Sequence, residues 1–142
     1  MKKVFVLLMI CLLPAMAMAQ WNKIVIPEAK PTVSRVWIVN HDVIAVLFPS
    51  KDRVNVSNES RRSIVNFVTG ISGKARIIVR GYINVKTGTG IDNQRMSEKL
   101  ANDIATIVMQ AGVSADRIER VSTGFYDMFE GYSNFATIEV VD

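Results

Sequence analysis

Met96, Leu100, Ala101, Ile104, Ala105, Ile107, Val108 and Ala111 recur at helical spacing. Only an α-helix gathers that pattern into one stripe. Gln94, Glu98, Lys99, Asn102, Asp103 and Gln110 fall largely outside it. The helix therefore has one face to bury, and it needs an apolar surface to receive that face. Asp92 or Asn93 can cap its start, and Gly112 ends it. A shorter helix is signalled upstream. Ser57 can accept a free backbone N–H, Glu59 suits the positive first turn, and Gly70 or Gly73 can stop the chain. Ile64, Val65, Phe67, Val68 and Ile71 supply its apolar face.

The surface that receives these helices is a sheet. From Ala75 to Ile83, Ala75, Ile77, Val79, Gly81 and Ile83 point one way and Arg76, Ile78, Arg80 and Tyr82 the other. Val33 to Val39 and Val43 to Phe48 are β-rich runs separated by Asn40-His41-Asp42, which makes either a hairpin or one bent strand. Glu119 to Thr123 reads as a strand, and Ala136 to Val141 as the final one. Between them, residues 124–135 read as a loop rich in glycine and aromatics. The order predicts an α+β two-layer sandwich of βαβαββ type. Its mixed four-stranded sheet carries two helices on one face, with room for an extra N-terminal strand.

The first segment reads as an address. Lys2 and Lys3 precede ten apolar residues, Val4 to Leu13, and Pro14 breaks the run. Ala17 and Ala19 fit the small-x-small rule of signal peptidase, which predicts cleavage after Ala19 and export to the periplasm. Ten helical residues span about 15 Å against a bilayer core of roughly 30 Å, too short for an anchor. Cys11 follows Ile10, too bulky for a lipoprotein site. Gln20 to Thr32, with Pro27 and Pro31, reads as an extended arm before a domain at 33–142.

Of the 142 residues, 49% are hydrophobic and 21% charged, which excludes a disordered chain. A single cysteine, Cys11, excludes a disulfide scaffold. Without Lys2 and Lys3, 15 of the 17 basic residues face 13 acidic ones, a net charge of +2. That balance gives no electrostatic reason to seek nucleic acid. No apolar run after the first predicts a membrane span.

Several short motifs, taken in order, resemble the OmpA-like C-terminal domain family. Val46-Leu47-Phe48 before the Ser57 helix resembles its first strand and helix. Val79-Arg80-Gly81-Tyr82-Ile83-Asn84 resembles its G-Y-T-D strand end. Asn93 with Met96-Ser97-Glu98-Lys99-Leu100-Ala101 resembles its N-x-x-L-S-x-x-R-A helix start. Gly112 to Ile118 resembles its G-V-x-x-x-R-I turn, and Thr137-Ile138-Glu139-Val140 its closing strand.

The resemblance implies a periplasmic domain that binds peptidoglycan without cutting it, through the zwitterionic end of diaminopimelate. Such a ligand calls for a carboxylate opposite its ammonium and a guanidinium fork opposite its carboxylate. At the matching positions this chain has Asn84 and Leu100, beside Asn93. A hydrogen bond to a charged group contributes about 1.5–3 kcal/mol, so losing two removes roughly two to four decades of affinity. Arg95 lies about 140° and Lys99 about 100° around an ideal helix from Leu100, so neither substitutes for the fork. Leu100 reads as part of the apolar stripe. Asn84, Asn93 and Leu100 are thus what remains of a degenerate pocket, with weak or absent peptidoglycan binding.

Other chemistry is sparse. His41 is the single histidine and lies in a turn, and no catalytic constellation accompanies it. The sequence predicts no enzyme, no metal and no cofactor. Lys86 to Gly90 lacks phosphate-loop spacing. The segment from Phe125 to Phe135 is dense in Phe, Tyr and Met. It either folds back over the sheet or presents aromatics to a protein partner. On the second reading Trp21, Phe125, Tyr126, Phe129 and Tyr132 are the contact candidates. The expected function is an interaction or assembly subunit of an envelope-spanning machine such as a pilus, secretion or conjugation apparatus.

Overall fold

The computed structural model describes residues 33–49, 55–83, 90–126, 128–129 and 131–142. The predicted leader, the arm with Trp21, and Asn84 lie outside the described residues. The elements are β1 (Arg35–Asn40), β2 (Val43–Phe48), α1 (Asn58–Thr69), β3 (Arg76–Ile83), α2 (Gly90–Gln110), a 3-10 turn (Ala115–Arg117), β4 (Ile118–Phe125) and β5 (Asn134–Val141).

The extra N-terminal strand exists, so the sheet has five strands, in the order β1-β2-β5-β3-β4. β1 and β2 form a hairpin rather than one bent strand. Asn40 Oδ1 accepts the Asp42 backbone N–H at 2.8 Å and holds the turn. β5 lies antiparallel to both β2 and β3, while β3 and β4 are parallel and joined through α2. β2, β3 and β4 therefore point the same way.

Local chemistry fixes the helix ends. Ser57 Oγ accepts the Ser60 backbone N–H at 3.1 Å, and Ser57 N–H donates to Ser34 Oγ at 2.7 Å. Those serines tie the start of α1 to the chain entering β1. Gly70 caps α1 at its far end. After α2, Gly112 takes φ +109°, the left-handed region that favours glycine. Arg117 then donates from Nε to the Ala75 carbonyl at 2.9 Å and from Nη2 to the Ser72 carbonyl at 2.8 Å, closing the entry to β3.

Two cores flank the sheet. On one face Ile64 and Val68 of α1 and Leu100, Ala101, Ile104, Ala105 and Val108 of α2 meet Ile44, Val46, Phe48, Ile77, Val79 and Ile138. Each Val, Leu, Ile or Phe side chain among these contributes about 1.5–3 kcal/mol when fully buried. On the other face Ala45 and Leu47 meet Phe129, Tyr132 and Phe135. β4 and β5 run longer than the sequence suggested, which shortens the intervening loop to residues 126–133. Its described residues Tyr126, Met128, Phe129 and Tyr132 pack back over the sheet.

Candidate binding site at the carboxyl end of the parallel strands

The carboxyl ends of β2, β3 and β4 share one rim. Phe48 and Ile83 both register with Asn134, and Ile83 registers with Phe125. Ligands of sheets with helical crossovers commonly sit at such ends. The start of α2 stands over this rim because it packs tightly on β3. A side-chain carbon at Gly81 would overlap the Ser97 carbonyl. A polar latch then joins α2 to β4. Ser97 Oγ donates to the Gln94 carbonyl at 2.9 Å, and the Gln94 side-chain amide donates to Ser122 Oγ at 2.8 Å. The Ser97 and Ser122 hydroxyls abut. Sequence reading gave Gln94 and Ser97 no part in a latch and did not single out Ser122. The available signal was the pairing of two small residues, Gly81 in a strand and Ser97 in a helix.

Two of the three residues assigned to the degenerate pocket, Asn93 and Leu100, are among the described residues, and both are buried. Leu100 is fully buried in the helix-side core, flanked by Ala101 and Ile104. A side chain without exposed surface offers nothing to a ligand. Asn93 is buried at the start of α2, and Asn84 is outside the described residues. Arg95 is exposed, and Lys99 Nζ is engaged with Asp103 Oδ2 at 2.7 Å, one helical turn on.

Of the contact candidates, Phe129 and Tyr132 are buried against the sheet and present almost no ring surface in this fold. Phe129 meets Phe135 edge to face at 4.9 Å, and Phe135 stacks on Tyr82 at 4.4 Å. Tyr126 meets Tyr82 edge to face at 5.8 Å and is partly buried. The reason is area: aromatic rings left in water beside an open apolar sheet face gain more by covering it. Phe125 stays 46% exposed at the end of β4, and Ile91 is exposed at the start of α2.

The electrostatics of this face are those of a packed layer. Burial pushes the Tyr82 phenol up, partly offset by its hydrogen bonds with Thr137 and Thr123. Burial also pushes Tyr126 up. Arg80 Nη2 lies 3.6 Å from Glu139 Oε2, a carboxylate that is almost fully buried. His41 and Asp42 meet at 3.2 Å on the exposed β1–β2 turn. Among the described residues no group of three or more His, Cys, Asp or Glu could hold a metal ion, and no helix is long and apolar enough to cross a membrane.

No protein-family model matches the chain. Among curated proteins it is 36% identical over 96 residues to Outer membrane protein 40 of Porphyromonas gingivalis, a match covering 65% of this chain. The chain spans only 23% of that relative's length. The peptidoglycan-associated lipoprotein from Burkholderia pseudomallei superposes with a TM-score of 0.56 at 18% identity, covering 68% of this chain and 88% of that one. The C-terminal domain of Helicobacter pylori MotB gives 0.56 at 16% identity, covering 68% and 82%. The OmpA-like domain of FopA1 from Francisella tularensis gives 0.53 at 21% identity, covering 86% and 96%. With the two helices on one side of a mixed sheet and the late strand at its centre, this domain has the OmpA-like fold.

Proposed function

We propose that this is an exported, non-catalytic protein of the bacterial cell envelope. Its leader is removed after Ala19 and its domain works in the periplasm as an interaction subunit of an envelope-spanning assembly. A pilus, secretion or conjugation apparatus fits that role. The observation that carries the reading is the burial of Leu100. Where the resemblance calls for a guanidinium, this chain places a hydrocarbon inside its core, so a wall peptide loses its carboxylate grip. Among the described residues Phe125 and Ile91 are exposed at the rim, beside the polar Asp92, Gln94 and Arg95, and exposed aromatics and aliphatics suit protein contacts.

A second reading is non-covalent peptidoglycan binding that anchors an envelope complex to the wall. The likeness to a peptidoglycan-associated lipoprotein supports it, as does the placement of Asn93 beside the rim. Two measurements separate the two readings. The purified protein stays in the supernatant when peptidoglycan sacculi are pelleted, and a photo-crosslinker at Phe125 traps one envelope protein in living cells. Stoichiometric pelleting with sacculi reverses the order of the readings.

A further inference from the structure

β4 does not keep a regular register against β3. Gly81 pairs with Ser122, but Tyr82 pairs with Gly124 and Ile83 with Phe125, so Thr123 is an extra residue in the ladder. Gly124 completes this bulge at φ +86°, a conformation that favours glycine. A side-chain carbon there would lie an ordinary 3.8 Å from Gln94 Oε1. The conformation, rather than that contact, calls for the glycine.

The bulge decides which of two adjacent rings goes where. Before it, Ser122 faces α2 and meets Gln94, while Thr123 faces the aromatic layer and bonds the Tyr82 phenol. Strict alternation would next send Phe125 to the aromatic layer and Tyr126 to the helix side. The shift reverses both. Phe125 registers with Ile83, whose side chain lies in the helix-side core, and so points to that side at the rim, 46% exposed. Tyr126 packs into the aromatic layer instead, edge to face with Tyr82, and its N–H donates to the Ile83 carbonyl at 2.6 Å.

Burial alone would choose the other arrangement. A phenylalanine ring carries no polar atom, whereas the Tyr126 hydroxyl is buried with no hydrogen-bond partner among the described residues. A glycine inside a strand weakens it further. Bulges re-aim a side chain where function needs it. We infer that Gly124 is a positioning residue: by holding the bulge it offers Phe125, in place of Tyr126, to an apolar socket on a protein partner. This rests on the interaction reading proposed above.

Ring-to-methyl NMR contacts of the full chain test the positioning without any partner. The native protein is expected to show Phe125 against Ile83 and Tyr126 against Tyr82. Gly124→Val disfavours the positive φ and is expected to abolish the Phe125–Ile83 contact, whereas Gly124→Asn tolerates that φ and keeps it. Deleting Thr123 from the Gly124→Val chain removes the extra residue, so position 124 no longer needs that φ and the contact is expected to return. This shortened chain also decides the matter if Gly124→Val alone does not fold. In cells, a photo-crosslinker at Phe125 is expected to capture its partner about tenfold less with Gly124→Val, and to regain capture when Thr123 is also deleted. A Phe125–Ile83 contact indifferent to Gly124→Val, or not restored by the deletion, overturns this inference alone. Contacts that behave as expected while the native chain captures no protein at Phe125 overturn the interaction reading, and the role of Gly124 with it.

Discussion

Gly81 and the Ser97 carbonyl oxygen occupy space that a single added carbon cannot share. The contact is backbone against side-chain-free backbone, so neither partner can swing aside. Gly81→Ala is expected to destabilise the domain by about 3 kcal/mol, the upper end for overpacking. Urea denaturation followed by circular dichroism measures it. Loss of less than about 0.5 kcal/mol would show that α2 rides higher on β3 than described.

Leu100→Ala should cost about 2–5 kcal/mol by leaving a cavity among Ala101, Ile104 and the sheet. Leu100→Arg should cost more, because it places an unpaired charge in that core. Restoring an acid at Asn84 and an arginine at Leu100 is therefore expected to unfold the protein rather than create a wall-peptide site. Thermal unfolding of the single and double variants, with a sacculus pelleting assay, checks both parts.

Phe129→Ala and Phe125→Ala separate the two kinds of aromatic in one segment. The first removes a fully buried ring and is expected to lose about 3–5 kcal/mol. The second removes a half-exposed ring and is expected to lose under about 1 kcal/mol while reducing capture of an envelope partner. Chemical denaturation and crosslinking in cells report the two effects.

The Tyr126 hydroxyl is buried with no hydrogen-bond partner among the described residues. Removing it costs no bond and relieves its desolvation. Tyr126→Phe is expected to be neutral or to stabilise by about 1 kcal/mol, read as a rise in the denaturation midpoint.

Tyr82 makes the domain sensitive to alkali. Its folded pKa is raised, chiefly by burial, so the folded state holds the phenolic proton more tightly than the unfolded chain. The associated stability is full below the ordinary tyrosine range, near pH about 10, and falls as pH rises through the folded value. Denaturation midpoints across pH 9 to 12 are expected to fall for the native protein and to fall less steeply for Tyr82→Phe.

Periodicity and caps carried much of this architecture. The stripe from Met96 to Ala111 became α2, the serine before Asn58 became its predecessor's cap, and the alternation around Gly81 became β3. What escaped reading has physical reasons. Phe129 and Tyr132 lie in an irregular loop, where no period tells a buried ring from an exposed one. The approach of Ser97 to Gly81 is a contact between segments, invisible in either alone. The fate of Leu100 was legible because Met96 and Ile104 flank it on the same helical face. Strand order was not, since local pattern says nothing about which β-run a later strand will join.

That order has a temporal meaning. Among the described residues, β5 is the only strand hydrogen-bonded to both the β1–β2 hairpin and the β3–α2–β4 unit, pairing with β2 on one side and β3 on the other. Until residues 134–141 have emerged, the two halves share no ladder, and the domain has a seam instead of a centre. A chain synthesised or threaded from its amino end would stay loose until that stretch arrives and then zip shut from the middle outward. Such delay is compatible with the export proposed above.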